Sequence, residues 1–200
     1  MVKKLHYAGI NAGYYKAALS GAACIADSDA GYVKRIGEIN QPESTLLSYL
    51  YQNAVSPHLA ARLERNPVEL SKVIGDYQQV ASQYDYITVE GSGGIVCPLR
   101  YDTDNHILLE DIVKALGLNT VIVAPAGLGT INAVALTAQY LMSRDIGIKG
   151  VIINHYTGGM MEEDNIAMIE ALTAIPVLAR VAQNATELEI SLDQLKALYE

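Results

Sequence analysis

The sequence predicts an α/β fold, a mostly parallel sheet flanked by helices. Three observations carry that prediction. Short apolar runs rich in β-branched residues occupy 119–125, 150–154 and 175–181, a composition that suits strands buried on both faces. Between them lie segments whose apolar residues recur at three- and four-residue spacing, the period of a helix face. The connections are short, as strand–helix–strand units require.

Taken in order, residues 11–15 read as a strand, which puts Lys16 near its carboxyl end. Ser56-Pro57 opens a helix, with proline at the first helical position. Asn66-Pro67-Val68-Glu69 reads as a second helix start, with an N-cap, a proline and a capping-box glutamate. Behind it Val73, Ile74, Tyr77, Val80, Ala81 and Tyr84 make one helix face. Residues 86–90 form a short strand that ends in the carboxylate of Glu90. The runs at 119–125, 150–154 and 175–181 are strands, alternating with helices over 130–143, 160–173 and 187–199. In such sheets ligands bind beyond the carboxyl ends of the strands, so the loops there hold the candidate site residues.

A chain of 200 residues fits one domain, 1–200. Half of its residues are hydrophobic, enough to bury a core, which excludes whole-chain disorder. The net charge is −8 with no basic block, which argues against nucleic acid or an anionic membrane as the main partner. Cys24 and Cys97 are the two cysteines and form no C-x-x-C pair, which excludes a disulfide scaffold or a Cys-rich zinc site. No apolar run approaches the ~18 residues of a spanning helix, and no apolar stretch follows Met1 as in a signal peptide. The expected location is the cytoplasm. Thirteen tyrosines stand beside no phenylalanine and no tryptophan, a bias that composition alone does not explain.

Five constellations carry chemistry. In Tyr15-Lys16-Ala17-Ala18-Leu19-Ser20-Gly21, Lys16 is either a cation for a phosphate or carboxylate, with Ser20 as a hydroxyl donor, or an ordinary surface lysine. In Ala26-Asp27-Ser28-Asp29-Ala30, the two acids either hold a hard cation such as Mg²⁺ or serve a helix start. In Val89-Glu90-Gly91-Ser92-Gly93-Gly94, a carboxylate at a strand end meets glycines that let a ligand approach the backbone; the alternative is a plain turn beside a solvated glutamate. In Pro125-Ala126-Gly127-Leu128-Gly129-Thr130-Ile131-Asn132, a glycine turn leads into a helix whose first N–H groups attract anions, unless the turn is only a compact link capped by Thr130. Asn154 ends a strand, and its amide offers both donor and acceptor to a purine edge or to a turn. The four histidines lack metal-ligand spacing, and no Gly-x-Ser-x-Gly elbow occurs.

In this order and spacing the segments resemble the dethiobiotin synthetase family, ligases of the P-loop NTPase class. The matching pieces are 14–21, Ser28-Asp29-Ala30, Ser56-Pro57-His58-Leu59-Ala60-Ala61, 89–94 with Pro98-Leu99, 127–132 with Leu136-Thr137, and 150–154. The resemblance runs from about residue 9 to 181. It implies closure of the ureido ring of dethiobiotin from 7,8-diaminopelargonate and CO₂ at the expense of ATP, with Mg²⁺. It implies Lys16 and Glu90 as catalytic residues. Substrate would be held by Lys16, Ser20, Gly91, Ser92, Gly93, Leu128, Gly129, Thr130, Ile131 and Asn132. Asp29, Glu90, Gly93 and Asn154 would hold nucleotide, and Asp29 and Glu90 the metal. It also implies a homodimer with its active site at the interface. One departure stands out. The family's first strand and its Gly-x-x-x-x-Gly-Lys-[Ser/Thr] loop have no counterpart in these 200 residues, and Met1-Val2-Lys3-Lys4-Leu5 aligns with the end of the helix that should follow them. The chain therefore reads as an N-terminally truncated family member. The alternative function is a binding module of the same fold that does not hydrolyse ATP on its own, and a related amido-ligase is a third.

Overall fold

The first strand is longer than its sequence signature. It runs Ala12–Ser20, and its first eight residues are all buried. Lys16 therefore lies in the strand interior, not near the carboxyl end. The reason is packing on both faces. Tyr15 and Ala17 join a core with Ala60, Val73 and Ile112, while Tyr14 joins another with Val2, Ala30 and Ile39.

This is a computed structural model describing residues 1–200, and it divides into two compact units, Met1–Gly117 and Leu118–Glu200. In the first, helix α1 (Val2–Tyr7) precedes strand β1 (Ala12–Ser20). A 3-10 turn, Ile25–Asp27, leads into α2 (Asp29–Gly37), and a second, Glu43–Thr45, into β2 (Leu47–Tyr51). Then come α3 (Pro57–Leu63), α4 (Leu70–Ala81), β3 (Tyr86–Glu90), the hairpin β4 (Pro98–Tyr101) and β5 (His106–Leu108), and α5 (Leu109–Ala115). β1 is central, with β2 and β3 parallel to it on either side. The core contacts of β1 put α1 and α2 on one face of this sheet and α3, α4 and α5 on the other.

The second unit is β6 (Thr120–Pro125), α6 (Thr130–Ser143), β7 (Ile148–Tyr156), α7 (Met160–Thr173), β8 (Val177–Ala182) and α8 (Leu192–Ala197). Its strands are parallel in the order β6-β7-β8. Val134, Ala138 and Leu141 are the buried face of α6, and Ile166 and Ile169 that of α7, at the spacing an amphipathic helix needs.

Two helix predictions need correction. Asn66-Pro67 does not open a helix; α4 starts at Leu70 after Glu69. Tertiary partners take the groups a capping box would use. The Glu69 N–H donates to the Tyr49 hydroxyl at 3.0 Å, and the Glu69 carboxylate accepts from Arg100, whose guanidinium also reaches the Val68 carbonyl. The last helix is shorter than 187–199. It begins at Leu192, because Ser191 and Gln194 form a reciprocal capping box there.

The buried tyrosines show how a core without phenylalanine accommodates them. The Tyr15 hydroxyl donates to the Val73 carbonyl (3.0 Å) and lies 2.6 Å from Ser48 Oγ, and the Tyr51 hydroxyl donates to the Asn66 carbonyl (2.7 Å). Each of these two hydroxyls meets a partner, so neither is orphaned by burial. Burial is also the main reason that the phenols of Tyr15 and Tyr51 are held well above their ordinary range.

Candidate functional site

Parallel pairing sets Lys16 of β1 directly opposite Glu90, the last residue of β3. Opposite charges at facing positions attract, and Lys16 Nζ donates to Glu90 Oε1 at 2.9 Å. A second carboxylate arrives from α2. Ser28 is the N-cap there, its Oγ accepting the Gly31 N–H, so Asp29 is the first helical residue. Asp29 Oδ2 accepts from Lys16 Nζ at 2.6 Å. Asp27 turns elsewhere and accepts the Cys24 thiol at 3.2 Å.

Lys16 is only 4% exposed. Burial alone would depress its ammonium, but the hydrogen bonds and charges of Asp29 and Glu90 outweigh that and hold its pKa above the ordinary value. It is therefore a fixed cation at neutral pH. The hydrogen bond from Lys16 in turn holds the Asp29 carboxyl below its ordinary range.

Lys16, Leu19, Ser20, Asp29, Pro57, Ser92 and Gly93 line a pocket of about 240 Å³. Ser20 Oγ donates to the Val55 carbonyl at 2.6 Å, and Ser92 Oγ donates to the Ala18 carbonyl. Gly93 has φ +91, a left-handed conformation that a side chain would strain. Gly91 packs so closely that a Cβ there would lie 2.7 Å from Leu109 Cδ2. The glycines after Glu90 thus let the turn curl back against α5 while opening its backbone to the pocket.

No group of three or more His, Cys, Asp or Glu side chains gathers to hold a metal. Asp29 and Glu90 nevertheless fit Mg²⁺ as a pair of hard oxygen donors. They converge on one cation, their side chains are 59% and 39% exposed, and the pocket beside Asp29 has room for water and phosphate oxygens. Mg²⁺ is commonly held by one or two carboxylates plus substrate phosphates.

The remaining predicted residues lie in the second unit. Leu128 is 93% exposed, Gly129 is the N-cap of α6 with φ +91, and Thr130, Ile131 and Asn132 open the helix. Thr130 does not cap it; its hydroxyl is buried without a hydrogen-bond partner. Asn154 pairs with Pro125 across the β6–β7 ladder, and its carbonyl accepts the Ala126 N–H at 2.8 Å. The turn at 126–132 and Asn154 are therefore neighbours at the carboxyl end of this sheet. Strand β7 runs two residues past Asn154, whose Oδ1 accepts the His155 N–H at 2.9 Å.

Three contributors escape a sequence reading. Asn165 of α7 donates to the carbonyls of Ala126 (2.9 Å) and Gly127 (3.4 Å) and so fixes the turn before α6. Gln41 clamps the backbone of Tyr14, and the Tyr14 hydroxyl donates to Glu90 Oε2 at 2.8 Å. Only Tyr14 left a trace, being two residues from Lys16 in a strand and so on the same face.

A family model described as an AAA domain matches residues 1–188. The ATP-dependent dethiobiotin synthetase BioD of Brachyspira hyodysenteriae is 43% identical over 190 residues, covering 94% of this chain and 86% of that one. The enzyme of the same name from Clostridium botulinum strain Loch Maree is 42% identical, covering 100% and 89%. This chain belongs to the dethiobiotin synthetase family. Solved structures similar to it include the MinC:MinD cell division complex of Aquifex aeolicus (TM-score 0.54, 15% identity, 92% of this chain and 73% of that one). A ParA family ATPase from Chlorobium tepidum is another (TM-score 0.52, 16% identity, 92% and 77%). At such identities the likeness concerns the fold, which is that of P-loop NTPases: parallel sheets flanked by helices. No helix is long and apolar enough to cross a membrane.

Proposed function

We propose that this member of the dethiobiotin synthetase family carries out the ATP-dependent ligase reaction of biotin biosynthesis, with Lys16, Asp29 and Glu90 at its phosphate-handling centre. The observation that carries the assignment of residues is the buried Lys16 ammonium, held by two carboxylates beside a pocket lined by Ser20, Ser92 and Gly93.

The substrates are 7,8-diaminopelargonate, CO₂ and ATP. One amine adds to CO₂ and loses a proton, giving a carbamate. A carbamate oxygen attacks the γ-phosphorus and ADP departs, leaving a carbamic–phosphoric anhydride. The second amine attacks the carbonyl carbon, phosphate departs, a proton is lost and the ureido ring closes. None of these steps needs a protein nucleophile. They need positioning and neutralisation of negative charge. Lys16 meets that need as a permanent cation, able to bind carbamate and phosphate oxygens without reorganising. Ser20 and the 91–93 backbone orient the substrate. Asp29 and Glu90 would hold Mg²⁺, which when bound neutralises phosphate charge. The α6 start, from Leu128 to Asn132, receives the substrate carboxylate, and Asn154 meets the adenine edge.

The chain works as a cytoplasmic homodimer in this reading. In the same reading residues 1–200 work as one domain, which the family match over 1–188 supports.

The test is direct. The protein is incubated with Mg²⁺, ATP, bicarbonate and 7,8-diaminopelargonate, and dethiobiotin and phosphate are both quantified. The reading expects them in equal amounts, with neither formed when diaminopelargonate is omitted. Phosphate without dethiobiotin, or neither product, contradicts it.

A further inference from the structure

The carboxylate of Glu90 is held at both of its oxygens. Oε1 faces Lys16 Nζ at 2.9 Å and Oε2 accepts the Tyr14 hydroxyl at 2.8 Å. The second contact comes from a residue that is buried and hydrogen-bonded through its backbone. Tyr14 is 1% exposed, and its ring sits in the core formed with Val2, Ala30 and Ile39.

Its backbone is fixed as well. The β1–β2 ladder begins only at Lys16, paired with Leu47. At Tyr14 that edge of β1 has no strand beside it, and the buried Gln41 side chain stands in for one. Gln41 Oε1 accepts the Tyr14 N–H at 2.9 Å, and Gln41 Nε2 donates to the Tyr14 carbonyl at 2.8 Å. Gln41 is itself fully buried, and its Nε2 also reaches the carbonyl and hydroxyl of Thr45. The chain from Thr45 through Gln41 and Tyr14 ends at the oxygen of Glu90 that Lys16 does not hold.

We infer that Tyr14 is a positioning residue for Glu90: its hydroxyl fixes the carboxylate so that Glu90 meets the divalent cation without reorganising. The inference deepens the proposed function and rests on Glu90 being a metal-binding carboxylate. Partners that orient metal-binding side chains are worth about 10–100-fold in metal affinity or activity. A purely structural Tyr14 would leave metal binding unchanged, since Phe fills the same space and lacks only the hydroxyl.

The experiment compares wild type, Tyr14→Phe, Glu90→Gln and the double variant. Bound Mn²⁺ is counted by electron paramagnetic resonance of the free ion, in the presence of a non-hydrolysable ATP analogue. The Mg²⁺ concentration for half-maximal phosphate release and the melting temperature are measured alongside. Tyr14→Phe is expected to weaken Mn²⁺ binding and raise the Mg²⁺ requirement about tenfold, with the melt nearly unchanged. It is expected to add nothing once Glu90 is Gln. Wild-type Mn²⁺ and Mg²⁺ dependence in folded Tyr14→Phe overturns the inference, as does an equal effect in the Glu90→Gln background. If Glu90→Gln itself leaves metal dependence intact, the underlying reading of the site fails instead. Should Tyr14→Phe not fold, 3-fluorotyrosine placed at position 14 keeps the ring and alters the acidity of the hydroxyl. Metal dependence then shifts if Tyr14 acts through Glu90 and stays fixed if it does not.

Discussion

Replacing Lys16 with methionine removes the ammonium and keeps an unbranched apolar stem in the buried strand. Breaking a fully buried ion pair by deleting one partner costs about 3–5 kcal/mol. Here the abandoned carboxylates are partly solvated, Asp29 at 59% and Glu90 at 39% side-chain exposure. Water takes over much of their stabilisation, and the cost falls to about 1–2 kcal/mol. For a chain of this size that lowers the melting temperature by about 2–8 °C. The effect on turnover is larger. Losing a preorganised charge aimed at a transferring phosphoryl group costs about 10²–10³ in rate. Phosphate release under saturating ATP and diaminopelargonate, read beside a thermal melt, separates the two. Lys16→Met with turnover within tenfold of wild type would refute the reasoning, because the buried cation would then serve folding alone.

Asp29→Asn is expected to flatten the acid side of the stability profile. The Asp29 carboxyl is depressed by its bond to Lys16, so its contribution is full above its ordinary value of 3.8 and is lost as pH falls through the lower folded value; acid titrations of wild type and variant check this below pH 4. Gly31→Ala should damage the site from a distance, because its Cβ would lie 2.1 Å from the Ile25 carbonyl oxygen. Backbone must shift at the start of α2, where Asp29 sits, at a cost of about 1–3 kcal/mol, and both melting and phosphate release report it. Asn165→Ala leaves the Ala126 carbonyl without its side-chain donor, which should cost about 1–3 kcal/mol and raise the KM for diaminopelargonate if the 126–132 turn binds the substrate carboxylate.

The sequence makes most of the second unit legible because its runs are continuous and its helix faces periodic: β6, α6, β7 and α7 lie where the pattern puts them, and only the last helix is overextended. It hides β2, where Ser48 interrupts the apolar run within Leu47–Tyr51, and the β4–β5 hairpin, whose strands are four and three residues long. Lys16 appears as a residue after a strand because lysine is rarely buried within one; the facing Glu90 and Asp29 of α2 together make its burial tolerable, and both contacts are long-range facts. The convergence of Lys16, Asp29 and Glu90 is likewise invisible locally and enters the sequence reading only through family resemblance. Gln41 leaves no signal, since nothing in a loop sequence marks a side chain that replaces a missing strand. The Asn66-Pro67-Val68-Glu69 start misleads for the same reason: Arg100, more than thirty residues on, claims the groups the cap needs.

The most direct test of the central claim is single-turnover phosphate release by wild type and Glu90→Gln, with melting curves of both proteins. The account predicts a release rate at least about 10²-fold slower for the variant with a melting temperature within a few degrees. Equal release rates, or a collapse of folding that accounts for the lost activity, would contradict it.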